Sequence, residues 1–272
     1  MQEQLIKKLG QINDDFYQKI AKSFSETRQE AWEGWRELLP IIRQWLKEQG
    51  GEDKKWTAID IGCGNGRLLR FLSQELGDNF DYSGFDGNQN LLELAKEENQ
   101  NFKNADWQKW DLLSLDAPKS FREIVGQKQQ PVAIFMMAVM HHLPTQGLRK
   151  EILEKIAEQI PTGGLLIVSL WQFMKSTRLQ NRVLTTEGRE FRAELTNLLN
   201  IEELKQLEKN DYFLDWLRGE AAIRYCHHFS DEEVKEVESS LKKMTLKAKF
   251  TADPEKKTRI KLNTYLVLQK TG

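Results

Sequence analysis

Short apolar runs alternate with longer amphipathic stretches through most of this chain, and that rhythm predicts a layered α/β fold. Residues 1–50 read as helices: LIKKLG, then DDFYQKIAKSF, then a tryptophan-rich amphipathic stretch from Trp32 to Leu46. Gly50 and Gly51 end that extension, and Lys55 to Ile61 is a short apolar strand. The helix that follows gathers Leu68, Leu69, Phe71 and Leu72 on one face. DYSGFD predicts a second strand closing at Asp86, and the next helix buries Leu91, Leu92, Leu94 and Ala95. Pro131 to Met140 reads as a fully apolar strand, Leu148 to Ile160 has helical periodicity, and Leu165 to Trp171 is a further buried strand after the turn Pro161-Thr162-Gly163-Gly164. Uniformly apolar strands belong to parallel sheets covered by helices on both faces. Repeated β–α units of this kind predict a doubly wound α/β fold.

From residue 172 to 222 the pattern changes to a long charged segment, read here as a helical insertion above the sheet. Ser230 with Glu233 is a capping-box pattern that starts a last helix, running through Leu241. MTLKAKFTA and IKLNTYLVLQ alternate like strands and predict a terminal antiparallel hairpin. The expectation is one domain over residues 1–272, with an elaborated N-terminus and one insertion.

Composition narrows the function classes. At 272 residues the chain can bury a substantial core, and a formal net charge of −1 gives no global positive field for nucleic acid. Cys63 and Cys226 lie far apart, which fits neither a disulfide framework nor a metal cluster and suits a reducing cytosol. The polar N-terminus lacks a secretory pattern, and the longest apolar stretch, Val132 to Met140, is too short to cross a bilayer. A soluble cytoplasmic protein with no membrane partner is expected.

The sharpest chemical signal is AIDIGCGNGR at residues 58–67. Glycines at 62, 64 and 66 make a turn with almost no side-chain bulk, so a ligand can lie against the backbone and its N–H groups. The GxGxG spacing differs from dinucleotide and triphosphate loops, and Asp60 just upstream suits a neutral or cationic nucleoside. The segment resembles the first motif of class I S-adenosylmethionine-dependent methyltransferases. That resemblance implies a Rossmann-like seven-stranded sheet, with S-adenosyl-L-methionine as cofactor and S-adenosyl-L-homocysteine as product. Asp86, 20 residues after Gly66, could then accept both ribose hydroxyls. Asp111 would stand beside the adenine amine, with Trp110 packed on the ring. Gly62, Gly64, Gly66, Asp60 and Met137 complete the expected cofactor set. Trp107 is explained equally well by core packing.

Other segments are more specific. FYQKIAKSFSETRQEAW at 16–32 is similar to YxxIAxxFSxTRxxxW, an N-terminal motif of methyltransferases that act on the carboxymethyl group of the tRNA wobble uridine. AVMHHL at 138–143, NDYFLDW at 210–216, RYCHHF at 224–229 and NTYLVLQK at 263–270 extend the resemblance, with Cys226 and Asp215 departing from the family pattern. The resemblance implies tRNA as substrate, and eukaryotic stand-alone members of the family work with a small zinc-binding activator subunit.

A carboxylate is already nucleophilic at pH 7, so its esterification needs orientation and charge neutralisation rather than a general base. Arg28 and Arg224 suit that anchoring, because a guanidinium grips a carboxylate through two donors. By resemblance, Tyr17, Tyr225 and His227 would line the same pocket. His141 and His142 read as architectural or pocket-shaping. The pairs His141-His142 and His227-His228 find no Cys or carboxylate at ligand spacing, so no metal is expected. The tail lysines and arginine at 242, 243, 247, 249, 256, 257, 259 and 261 suit tRNA phosphates or a solvated edge hairpin equally. Two other readings remain: a small-molecule carboxyl or hydroxyl methyltransferase under a helical lid, and a non-catalytic cofactor-binding regulatory subunit.

Overall fold

A computed structural model describes residues 1–51, 53–126, 130–184, 197–216, 221–252 and 261–272. Its centre is a seven-stranded sheet. β1 (Trp56–Ile61), β2 (Phe80–Asp86), β3 (Ala105–Lys109), β4 (Val132–Met136) and β5 (Leu165–Trp171) run parallel. β9 (Met244–Ala252) and β10 (Asn263–Lys270) form the expected antiparallel hairpin, and β10 joins the sheet antiparallel to β5. The strand order is β3-β2-β1-β4-β5-β10-β9, so the chain reverses direction across the sheet between β1 and β4. At such a switch point the carboxyl ends of the strands splay open and leave a crevice for a ligand.

Period-two alternation explains the two-sided burial. In β1, Ile59 and Ile61 pack on one face with Phe85, Ile134 and Val168, under α5 (Lys119–Gly126) and α6 (Gln146–Gln159). Trp56 and Ala58 point the other way, toward α2 (Glu33–Glu48) and α3 (Arg67–Leu76), where Trp35, Leu38, Ile42 and Leu72 meet Phe135 and Ile167. Helix α4 (Gln89–Glu98) follows β2 and is N-capped by Asn88, whose side chain accepts from the Leu91 N–H. Helix α7 (Asp231–Ser240) begins with the capping box expected at Ser230 and Glu233.

Three expectations change. The N-terminal helical segments fuse into one 24-residue helix, α1 (Glu3–Glu26), that passes through Gly10 without a break. A Cβ on Gly10 would stand 2.1 Å from the Leu113 side chain, so the glycine lets α1 press onto the 3₁₀ turn Leu112–Ser114. The apolar run to Met140 leaves the sheet after Met136 and closes in a 3₁₀ turn at Met140–His142.

The largest correction concerns residues 172–222, expected to be helical. Where described, they hold a 3₁₀ turn at Phe173–Lys175, short helices at Thr177–Gln180 and Ile201–Leu204, and β6 (Val183–Leu184) and β7 (Asp211–Trp216). With β8 (Ala222–His227) these form a separate three-stranded antiparallel sheet, β6-β7-β8. Surrounding charge masked the aromatic and aliphatic residues of DYFLDW and AIRYCH, which favour a half-buried pleated surface.

Candidate active site

The glycine turn connects β1 to α3 and is built from left-handed backbone. Gly62, Gly64 and Gly66 have φ of 80°, 54° and 72°, a region where a side chain is strained. A Cβ at Gly62 would meet Val139 at 2.7 Å and one at Gly66 would meet the Trp107 ring at 2.3 Å, whereas Gly64 faces open space. The structure corrects one detail of the sequence reading. The N–H groups of Gly62 and Cys63 donate to the Phe85 carbonyl, that of Gly66 to the Cys63 carbonyl, and that of Gly64 to Asp86 Oδ2. The glycines therefore give room and curvature more than free donors. Trp107 packs behind the loop, against Tyr82 and the glycine backbones, as core.

The loop opens on a cavity of about 1670 Å³ lined by residues from α1, the glycine turn and the ends of β2, β4, β5 and β8. Ligand pockets usually span about 300–1,000 Å³, so this one has room for a nucleoside-sized ligand and a second molecule beside it. Asp60, Gly62, Gly64, Asp86, Trp110, Asp111 and Met137 all line it. Asp86 accepts from the Gly64 N–H on Oδ2 and from the Asn88 N–H on Oδ1, each at 2.9 Å, which fixes the carboxylate. Burial pushes its pKa up, against those backbone hydrogen bonds.

Asp60 is buried. Its Oδ2 accepts from the Tyr82 hydroxyl at 2.7 Å, and its Oδ1 has no partner among the described residues. Desolvation raises its pKa to about 7. An orphaned, buried acceptor in a cavity fits the N–H donor of a ligand. Asp111 caps the Leu112–Ser114 turn through Oδ1, at 3.0 Å from the Leu113 N–H. Trp110 sits edge-on to Phe85 and tilted against Phe121, so core packing sets the edge it shows to the cavity.

The far end of the cavity is cationic and aromatic. Arg224, on β8, lies over the Phe16 and Trp171 rings at 5.2 and 5.3 Å. No carboxylate pairs with it among the described residues; its polar contact is Nη1 donating to the Tyr17 hydroxyl at 3.3 Å. Tyr17 in turn reaches His142 Nε2 at 2.9 Å, and His142 Nδ1 meets the Tyr225 carbonyl at 3.4 Å. These contacts form a relay in which His142 Nδ1 also lies 3.3 Å from Asn13 Nδ2, and it holds the Tyr17 oxygen beside Arg224. Burial, then the Arg224 charge, drives the His142 pKa to about 3, and burial holds His141 well below the ordinary histidine range. Both imidazoles are neutral at pH 7. Arg28 also lines the cavity, with its guanidinium 5.2 Å above the Phe24 ring.

Tyr225 and His227 go elsewhere. Alternation along β8 sends Arg224 and Cys226 to the cavity side and Tyr225 and His227 to the opposite face. The Tyr225 hydroxyl donates to Asp211 Oδ1 at 2.6 Å, and His227 lies between Asp211 Oδ1 at 2.8 Å and Glu233 Oε1 at 2.7 Å. Burial opposes the His227 charge, but the hydrogen bonds to Asp211 and Glu233 outweigh it and raise its pKa. The pair ties β8 to α7 and lines no part of the cavity.

Folding also brings together donors that sequence spacing kept apart. His141, His142 and Cys226 converge within 4.8 Å, as do Glu208, Asp211 and His227. At the first cluster the Arg224 charge already disfavours protonated His141 and His142, and it would oppose a divalent cation in the same way. In the second, Arg149 pairs with Glu208 and His227 holds Asp211. Sequence reasoning passed over Arg67 and Trp171, which also line the cavity. Their signal was position alone: one directly follows the last loop glycine and the other ends a strand.

Residues 59–166 match a family described as a methyltransferase domain. A tRNA (carboxymethyluridine(34)-5-O)-methyltransferase of Arabidopsis thaliana is 26% identical over 155 residues, covering 57% of this chain and 31% of that protein. A carboxy-S-adenosyl-L-methionine synthase of Helicobacter pylori (strain G27) is 27% identical over 157 residues, 56% of this chain and 60% of the other. The match thus spans less than a third of the plant protein. Among solved structures, magnesium protoporphyrin IX methyltransferase from Synechocystis PCC 6803 with bound SAH has a TM-score of 0.57 at 13% identity, covering 95% of this chain and 97% of that one. Among the described residues no helix is long and apolar enough to cross a membrane. The glycine turn, the acids at the strand ends and the sheet order agree with that match: the chain has the class I methyltransferase fold, and its residues 59–166 match a methyltransferase domain.

Proposed function

We propose that this domain esterifies the carboxylate of a carboxymethyl-type wobble uridine in tRNA. Arg224 carries the reading. It is a half-buried guanidinium at the acceptor end of the cavity, seated between two aromatic rings and unpaired with any acid among the described residues. Such a charge calls for an anionic ligand, and a planar carboxylate matches its fork of donors. The bound cofactor supplies a methyl group made electrophilic by its sulfonium. Arg224 neutralises and orients the acceptor, the Tyr17–His142 relay fixes the plane of Arg224, and Arg28 adds positive charge along the wall. Trp171, Phe24 and Trp216 offer faces on which an extruded base can stack. No residue is required as general base, which agrees with two neutral imidazoles beside Arg224.

The names of similar tRNA methyltransferases support the nucleic-acid acceptor. The basic hairpin adds exposed Lys247 on β9 as a candidate phosphate contact, while Lys249 pairs with Glu238 and residues 256, 257 and 259 lie outside the described residues. A small activator subunit belongs to the same proposal, as does a cytoplasmic setting. Purified protein with labelled S-adenosylmethionine is expected to mark tRNA with a base-labile ester, and R224A to abolish the mark. Labelling of a small carboxylic acid but not tRNA would instead make this a metabolite methyltransferase. Cofactor binding with no transfer to any RNA would make it a regulatory subunit.

A further inference from the structure

Arg67 has no part in the acceptor chemistry, yet its environment is built around it. It opens α3 directly after Gly66 and lines the cavity. Its guanidinium lies over the rings of Trp32 and Trp35, at 4.6 and 4.8 Å, and Nη1 donates to the Glu30 carbonyl at 3.0 Å. Trp32 is the tryptophan that closes the TRxxxW segment, so that segment supplies a platform for an arginine of the glycine turn. A guanidinium has five N–H donors, and this hydrogen bond uses one. No carboxylate pairs with Arg67 among the described residues, and the charge of Arg28 adds repulsion. A half-buried, positively charged group of this kind is costly without an anion.

Asp60 presents the complementary deficit. It lines the same cavity, and Oδ1 is buried with no hydrogen-bond partner among the described residues. The charge of Asp60 acts on Arg67, yet the two do not form an ion pair. A ligand that satisfies both must offer an anion to one and a cationic N–H donor to the other. An α-amino acid carries that pair on a single carbon. We propose that Arg67 binds the α-carboxylate of the cofactor's amino-acid end, while Asp60 accepts from its ammonium. The Trp32–Trp35 platform holds the guanidinium plane in place, so its ordering cost is met before the ligand arrives. The assignment rests on the cofactor alone and is independent of the acceptor.

The test compares S-adenosylhomocysteine with its descarboxy analogue, which keeps the amine and loses the carboxylate, by calorimetry on the full chain. The unmodified protein is expected to prefer the carboxylate-bearing ligand by about tenfold to a hundredfold, the range of a charge-assisted hydrogen bond. In R67Q the preference should fall to about threefold or less, with affinity for the descarboxy analogue unchanged. R67M keeps an apolar stem on the two rings without the charge and should behave as R67Q does. Two results overturn the proposal. One is a variant that still discriminates as the unmodified protein does. The other is equal weakening of both ligands in R67Q and R67M, which would make Arg67 only a prop for the tryptophans.

Discussion

Asp60 is poised to lose a proton when the cofactor binds. Its pKa of about 7 comes first from desolvation, with the Tyr82 hydrogen bond pulling downward and the Asp86 charge pushing upward. At pH 7 the ligand-free carboxyl is therefore about half protonated. An ammonium brought to Oδ1 favours the ionised form, so binding expels about half a proton at pH 7, more at pH 6 and little at pH 8. The sign follows directly: protonation of Asp60 competes with the ligand, and affinity weakens as pH falls. Between pH 8 and pH 6 the ionised fraction drops from about nine-tenths to about one-tenth, so the association constant for S-adenosylhomocysteine should fall about tenfold. Calorimetry at each pH in buffers of different ionisation enthalpy measures affinity and proton release together. In D60N both should become flat across this range. Asp86 is the rival source, because burial raises its pKa as well. A D60N protein that still releases about half a proton at pH 7 moves the titration to Asp86 and refutes the role given to Asp60. So does an unmodified protein whose affinity is constant from pH 6 to pH 8.

Three further outcomes are expected. R224Q should cut methyl transfer by about a hundredfold or more while S-adenosylhomocysteine affinity stays within about twofold, since the charge-assisted contact lies at the acceptor end; equal loss of both would place Arg224 on the cofactor. H227A leaves buried Asp211 and half-buried Glu233 without their shared partner and should cost about 3–5 kcal/mol in urea unfolding, with activity per folded molecule retained. Because the His227 pKa is raised, its stabilisation is full below the ordinary histidine range and fades as pH climbs through the folded value, so the gap between H227A and the unmodified protein should narrow at high pH. G66A forces a side chain onto the Trp107 ring at a φ of 72°, and should lower stability by about 1–3 kcal/mol and the Tm by several degrees.

The sheet and its cofactor crevice were legible because they depend on local patterns. Apolar runs such as Val132–Met136 and Leu165–Trp171 could be little other than buried strands, and glycines at 62, 64 and 66 dictate their own backbone. The insertion was not legible for the converse reason. Its strands draw on residues far apart, with Val183 pairing Leu214 and Leu214 pairing Arg224, and its charged residues resemble a solvated helix in any short window. The error over Tyr225 and His227 was avoidable in principle. Once Arg224 is placed in the cavity, period two along RYCH sends Tyr225 and His227 to the opposite face. Treating the segment as a motif hid that it is also a strand.

On the two proposals, Arg67 and Arg224 each take a carboxylate in one cavity, and the chemistry works only if the two sites do not trade ligands. Charge alone cannot separate them, so their neighbours must. Asp60, whose charge acts on Arg67 and whose Oδ1 has no partner among the described residues, repels a bare carboxylate and admits one that carries an ammonium on the same carbon. Among the described residues Arg224 has no acid paired with it, and beside it stand neutral His141 and His142, the Cys226 thiol whose pKa burial raises to about 11, and aromatic faces. An ammonium there would meet the positive guanidinium with no anion to offset it. A carboxylate on a flat, uncharged ring meets no such penalty and gains stacking area. The zwitterionic end of the cofactor and an anionic, planar acceptor are thereby sorted to opposite ends of the crevice, and replacing Asp60 with asparagine should blur that sorting as well as the proton release.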